Sequence, residues 1–259
     1  MKTVVSGDSW ANRNYTSRMH PSFSRDYKKW DEHLAEYYGW DVINPSGDAL
    51  GNGEIIKRAI DLIHKNDVER CFISLSQWYR FSTIGDNRFN PNSQFISIRK
   101  PIWDDDVTQE QKDKHEKWIN FQQGYFNLIP FNKKLKLALI EESLFQIYHI
   151  IDVCSYKNIK LNIFQCIPSG ISQEDSDIME IAKRNPYYKM IEERKNEAKL
   201  WDWPFCSEWG ALDCIANQLI DRYPNYVISE QDNHPSEKGH YELFKVIRDN
   251  YEYNNSFWV

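Results

Sequence analysis

Lys2-Thr3-Val4-Val5-Ser6-Gly7-Asp8-Ser9-Trp10 decides the reading of this chain. Its first half is a short run with an apolar centre, as expected of a strand buried on both faces. The run breaks at Gly7, which permits a tight turn, and Ser9 follows at once. A strand that turns sharply into a serine is one half of a βα unit. Working outward, residues 26–38 have Trp30, Leu34, Tyr37 and Tyr38 at helical spacing and Gly39 as a stop. Residues 40–44 read as a second strand. Residues 54–65 read as a helix, with Ile55, Ile56, Ala59, Ile60 and Ile63 on one side. A third strand is expected at 70–76, a long helix at 135–156 and a fourth strand at 159–167. A helix at 208–222, a fifth short strand at 226–229 and a closing helix at 236–250 complete the pattern. Strands alternating with helices predict a parallel sheet covered on both faces.

Two segments interrupt the alternation, at about 78–132 and 168–204. Both follow the C-terminal end of a predicted strand, the edge at which open α/β sheets bind ligands. The expectation is one domain over residues 1–259, with these two insertions lying at that edge. A chain of 259 residues can bury a substantial core without a disulfide or metal staple.

Composition excludes several classes. The 32 Lys and Arg against 38 Asp and Glu give a net charge of −6, which argues against nucleic acid as a partner. No run of about 18 apolar residues occurs, so no membrane span is expected. No apolar leader stretch precedes the polar Ser6-Gly7-Asp8, and a cytoplasmic location is the expectation. The five cysteines form no C-x-x-C pair and read as free thiols. No metal-ligand spacing and no phosphate-cradling glycine loop is present, so no cofactor is expected. Aromatic residues make up 15% of the chain, an unusual excess beside 27% charged residues. Trp78, Tyr79, Trp103, Trp118, Tyr187, Tyr188, Trp201, Trp203 and Trp209 lie in or beside the two insertions. They read either as core filling or as a stacking platform for a sugar or acyl group.

Ser9 needs a base if it is to act as a nucleophile, and otherwise reads as a helix cap. The far end of the chain supplies one in Asp232-Asn233-His234-Pro235-Ser236. His234 can take a proton from Ser9 and deliver it to a leaving group. Asp232, with Glu230 as a nearby rival, can hold the imidazole tautomer. Asp8 reads as a turn former. A second Ser-Gly-Asp, at Ser46, Gly47 and Asp48, is followed by Ala49 and offers no nucleophile. His240 reads as a packing or capping residue. His20, His33, His64, His115 and His149 have no partner in a patterned position. Asp104, Asp105 and Asp106 read as a solvated loop or helix cap rather than a cation site.

Gly7-Asp8-Ser9 after the first strand, with Asp232 and His234-Pro235 before the last helix, resembles blocks I and V of the SGNH, or GDSL-type, hydrolases. The family's D-x-x-H is shortened here to D-x-H. The resemblance implies a three-layer α/β/α sandwich with a flavodoxin-like parallel sheet of about five strands. It implies a serine esterase with Ser9, His234 and Asp232 as catalytic residues. The block that supplies an oxyanion glycine is similar to the run from Pro45 to Ile55, with Gly51 as the match and Asn52 beside it. The family's G-x-N-D after the third strand has no counterpart in Ser74-Leu75-Ser76-Gln77-Trp78. Gln77 or Asn52 is left to offer the missing side-chain amide. The implied partner is a small-molecule or carbohydrate ester. Two other readings keep the fold: a degenerate carbohydrate-binding or scaffold protein, and a sugar O-acyltransferase.

Overall fold

Thr3, Val4, Val5 and Ser6 are all buried, so β1 (Lys2–Ser6) runs through the interior of a sheet rather than along its surface. The computed structural model describes residues 2–17, 20, 26–48, 50–76, 78, 108–110, 112–113, 116–117, 133–167, 176–194, 200–201, 226–229, 232 and 234–256. Within them, β2 (Asp41–Ile43), β3 (Val68–Leu75), β4 (Lys160–Gln165) and β5 (Leu200–Trp201) join β1 in one sheet of order β2-β1-β3-β4-β5. Every pairing is parallel, with Val4 beside Cys71 and Cys71 beside Leu161. This is the flavodoxin-like order. The fold class expected from the sequence is the one observed.

Helices cover both faces. α1 (Trp30–Tyr38) and α6 (Glu237–Ser256) lie on one; α2 (Asn52–Lys65), α3 (Lys133–Tyr156), α4 (Ser176–Ala182) and α5 (Pro186–Arg194) lie on the other. The Glu32 carboxylate accepts the Lys29 backbone N–H at 2.8 Å, which starts α1 at Trp30, later than the expected 26. Gly39, at φ 66°, ends it in the left-handed region. α3 buries Leu139, Ile140, Ser143, Leu144, Ile147, Ile150, Ile151 and Cys154, a stripe at spacings of three and four.

The two faces differ chemically. Val4, Cys71, Ile73, Leu75, Leu161 and Ile163 meet the isoleucines of α2 and α3 in an aliphatic layer. Val5, Phe72, Phe164 and Cys166 meet Trp10, Trp30, Phe244 and Tyr251 in an aromatic one. Trp30 stands edge-on to Phe164 at 5.9 Å, and Trp40 stacks on Tyr38 at 4.3 Å. Each fully buried ring of this size contributes roughly 1.5–3 kcal/mol. Much of the aromatic excess therefore belongs to the fold. Trp78 is fully buried, with its indole N–H donating to Gln165 Oε1 at 3.0 Å. Tyr187 and Tyr188 pack against the aliphatic core from α5. Trp78, fully buried, is not a solvent-facing platform. Trp103, Trp118, Trp203 and Trp209 lie outside the described residues, as do Asp104, Asp105, Asp106 and the expected helix at 208–222.

Two sequence expectations need correction. The fifth strand of the sheet is Leu200–Trp201, inside the supposed second insertion, and not 226–229. Residues 226–229 instead pair with 234–236. Ile228 N–H donates to His234 O at 2.9 Å and Ser236 N–H to Tyr226 O at 3.0 Å, and Val227 bridges Pro235 antiparallel. Their pairing is with the chain's own return at 234–236 and not with the sheet. The segment at 168–204 is likewise more than a loop over the site. Ile178, Ala182 and Ile191 of α4 and α5 are buried under α3, so this stretch carries part of the β4-to-β5 crossover. Cys71, Cys154 and Cys166 are buried and form no disulfide among the described residues.

Candidate active site

The turn after β1 is built by packing. A Cβ at Gly7 would lie 2.8 Å from the Cβ atoms of both Ala11 and Ser74, so only glycine fits. Ser6 Oγ donates to Ile55 O at 2.7 Å and ties the strand end to α2. Asp8 is buried. Its Oδ1 accepts the Trp10 N–H at 3.1 Å, and its backbone carbonyl accepts the Ala11 N–H at 3.0 Å. That closes an Asx-type turn, the role read for Asp8 from sequence. Ser9 sits on this turn at the C-terminal edge of the sheet, the edge that binds ligands in such folds.

The hairpin formed by 226–229 and 234–236 faces it. Ser229 N–H donates to Asp232 O, and Asp232 N–H to Ser229 Oγ, both at 3.0 Å. These bonds fix Asp232 and His234 at the hairpin's end. Ser9 Oγ lies 2.7 Å from His234 Nε2, although the two residues are 225 positions apart. His234 Nδ1 lies 2.6 Å from Asp232 Oδ1, and the same oxygen accepts the His234 backbone N–H at 3.1 Å. With Nδ1 protonated toward the carboxylate, Nε2 is left as an acceptor for the Ser9 hydroxyl. Burial pushes the Asp232 carboxyl pKa up. The hydrogen bond and charge of His234, the Ser17 hydroxyl and the His234 backbone N–H outweigh it and hold the group well below the usual carboxylate range.

The hairpin rests on the first turn of α6. A Cβ at Gly239 would lie 2.0 Å from the Tyr226 carbonyl oxygen. That is a backbone atom, so no rotamer relieves the clash. Gly239→Ala is expected to lower stability by about 1–3 kcal/mol, as overpacking does. The measurement is the urea midpoint at unchanged slope.

At the start of α2, Gly51 is the N-cap, in extended conformation at φ −82° and ψ 163°, and Asn52 is fully buried. Asn52 Oδ1 accepts the Ser76 N–H at 2.8 Å, and Ser76 Oγ donates to Asp8 Oδ2 at 3.5 Å. Asn52 thus connects through Ser76 to the residue beside Ser9. Its Nδ2 has no partner among the described residues. An unpaired buried donor costs about 1–3 kcal/mol and calls for an explanation. Gln165 Nε2 donates to Ser76 O at 3.0 Å and Ile167 O at 2.6 Å, which fixes the strand ends on this side. Gln77 and Glu230 lie outside the described residues.

Tyr15 was not legible from sequence pattern. Its hydroxyl donates to Asp232 Oδ2 at 2.9 Å, and its ring stacks on His234 with centroids 3.8 Å apart and planes 20° apart. The only sequence signal was its place in the loop that follows Ser9. His20 had no patterned partner either, yet its Nε2 lies 2.8 Å from Ser229 Oγ and so braces the hairpin. His240 is buried in α6. Burial first, then the charges of Lys29, His234 and His33, hold its pKa well below the ordinary imidazole value, so it is a neutral packing residue. Among the described residues no cluster of three or more His, Cys, Asp or Glu could hold a metal ion, and no helix is long and apolar enough to cross a membrane.

No known family's sequence profile matches the chain, and no curated protein does. Among solved structures it is similar to a psychrotrophic esterase, EstA, from Pseudoalteromonas sp., at 14% identity over 99% of this chain and 97% of that one, with a TM-score of 0.48. It is similar to TesA at 9% identity over 98% and 99%, with a TM-score of 0.46. It is also similar to Axe2, an acetyl xylan esterase from Geobacillus stearothermophilus, at 12% identity over 96% and 93%, with a TM-score of 0.43. The chain is a parallel α/β/α sandwich with the flavodoxin-like strand order.

Proposed function

We propose that this chain is a serine ester hydrolase acting on small acyl esters, with O-acetylated carbohydrates as the candidate class. One observation carries the reading: Ser9 Oγ, His234 and Asp232 stand in an unbroken hydrogen-bonded series of 2.7 and 2.6 Å. Ser9 attacks the ester carbonyl as His234 Nε2 takes its proton. Asp232 holds the ring tautomer and stabilises the imidazolium. The developing oxyanion is held by the Ser9 N–H, the N-terminus of α2 at Gly51, and the Asn52 amide. His234 returns the proton to the departing alcohol, and water then hydrolyses the acyl-enzyme by the same route.

The test is labelling with a fluorophosphonate, with the modified peptide located by mass spectrometry. Turnover is measured in parallel on a panel of p-nitrophenyl esters and acetylated sugars. Adduct formation at Ser9 and fastest turnover of short acyl groups are expected. Neither labelling nor turnover would overturn the reading in favour of a binding or scaffold protein. Transfer of the acyl group to added sugar in place of water would mark an acyltransferase.

The Asn52 amide has its own test. Asn52→Asp keeps an oxygen for the Ser76 N–H but removes the orphaned donor. It is expected to lower kcat by about 10²-fold, the usual cost of one oxyanion donor, with KM little changed. Unchanged kcat would remove Asn52 from the oxyanion site.

A further inference from the structure

We infer that Tyr15 is a positioning residue that grips His234 and Asp232 at once. The inference rests on the hydrolase reading of the same site. With one residue between them, Asp232 and His234 share a single carboxylate oxygen: Oδ1 takes both the ring Nδ1–H and the His234 backbone N–H. That leaves Oδ2 to be satisfied from elsewhere, in a carboxylate whose side chain is only 4% exposed. Tyr15 donates to it at 2.9 Å, and the Ser17 hydroxyl also bonds the carboxylate. The imidazole sits on a hairpin outside the sheet, so the sheet does not fix its plane. The Tyr15 ring, 3.8 Å from it and nearly parallel, covers one face and leaves Nε2 open toward Ser9.

The loop that presents Tyr15 is itself held. Arg13 Nε donates to the buried Asp31 at 2.7 Å. Asn44 Nδ2 donates to Asp31 and to Ala11 O, each at 2.8 Å. Tyr15 N–H donates to Asn12 O at 3.2 Å. A rigid loop on one side and a rigid hairpin on the other make the contact a clamp. Among the described residues, the titratable and charged groups around the pair include His20 on the hairpin, Tyr27 and Glu237 at its base, and His240 of α6 with Lys29 near it.

Two variants separate the hydrogen bond from the stack, and kcat together with the urea midpoint against pH reads them. Tyr15→Phe keeps the ring. It is expected to cost about tenfold in kcat, because the pair loses a tether that holds it in line with Ser9, with KM within about twofold. The Asp232 carboxyl also loses a donor and is held less far below its ordinary range, so the urea midpoint should fall less steeply with acid than in the wild type. Tyr15→Leu also loses the ring and is expected to cost about 10²-fold. A purely structural role would lower the urea midpoint by the same amount at every pH and leave kcat in place. An unchanged acid slope with wild-type kcat in Tyr15→Phe would overturn the inference. If the wild-type protein neither turns over esters nor takes the fluorophosphonate, the hydrolase reading fails instead. The acid slope of the urea midpoint then still decides on Tyr15: a shallower slope in Tyr15→Phe supports the clamp, and an unchanged one overturns it.

Discussion

Replacing Ser9 by alanine is expected to lower kcat/KM on a small acyl ester by at least about 10⁴-fold, with the fold intact. The size follows from what the substitution removes. In the proposed mechanism Ser9 Oγ is the nucleophile, and His234 without it has no proton to take. What survives in that mechanism is the oxyanion donors and substrate binding, which together leave a residual rate above water. The turn survives because Asp8 builds it: the bonds to the Trp10 and Ala11 N–H groups use no Ser9 side-chain atom. Stability, read from the urea midpoint, is therefore expected to change by less than about 0.5 kcal/mol. Steady-state rates and fluorophosphonate labelling are measured on the same preparation. A variant that keeps its rate places the nucleophile elsewhere. Ser46, in the second Ser-Gly-Asp, is a poor rival, since its Oγ is buried with no partner among the described residues.

The site's ends were legible because chemistry restricts residue types at places the chain marks. A glycine stops β1, and a proline precedes the last helix; Ser9 and His234 lie beside them. Spacing could not reveal what arises only through space. Tyr15 meets Asp232 across 217 positions, and one tyrosine among 15 carries no mark. Asn52 was one of two candidates for the missing amide, beside Gln77, and sequence could not choose between them. Its buried, half-satisfied amide became visible once Ser76 was seen to occupy its oxygen.

The fold errors have physical causes of the same kind. Tyr226-Val227-Ile228 has the propensity of a strand, and propensity does not say whether the partner is a sheet or the chain's own return at 234–236. Leu200–Trp201 is too short to show a period. In 176–194 the buried Ile178, Ala182 and Ile191 are outnumbered by charges, so two core-packing helices read as a polar insertion. The aromatic excess was assigned to loops because composition is blind to layers. On the strands, adjacent residues such as Cys71 and Phe72, or Ile163 and Phe164, face opposite layers, one aliphatic and one aromatic.

Asp232→Asn is expected to lower kcat/KM by about 10³-fold, and the reason is charge rather than tautomer. An amide beside a catalytic histidine can turn its NH₂ toward the ring and force the proton onto the wrong nitrogen. Here that is opposed. The Oδ1 position receives two donors, the ring Nδ1–H and the His234 backbone N–H, so the amide oxygen belongs there. The amide NH₂ then faces the Tyr15 oxygen, which can accept by turning its own hydrogen away. Geometry is kept and the negative charge is lost. An opposite charge in contact stabilises the imidazolium that forms as Ser9 gives up its proton, and its loss costs up to about 10³ in rate. Stability against pH gives an independent reading. The folded Asp232 pKa lies below its unfolded value, so its contribution is complete above the ordinary carboxylate range and is lost as pH falls toward the folded value. The wild-type urea midpoint should therefore drop more steeply below about pH 4 than that of Asp232→Asn. Parallel acid limbs and a wild-type rate in the variant would remove Asp232 from the series and turn attention to Glu230.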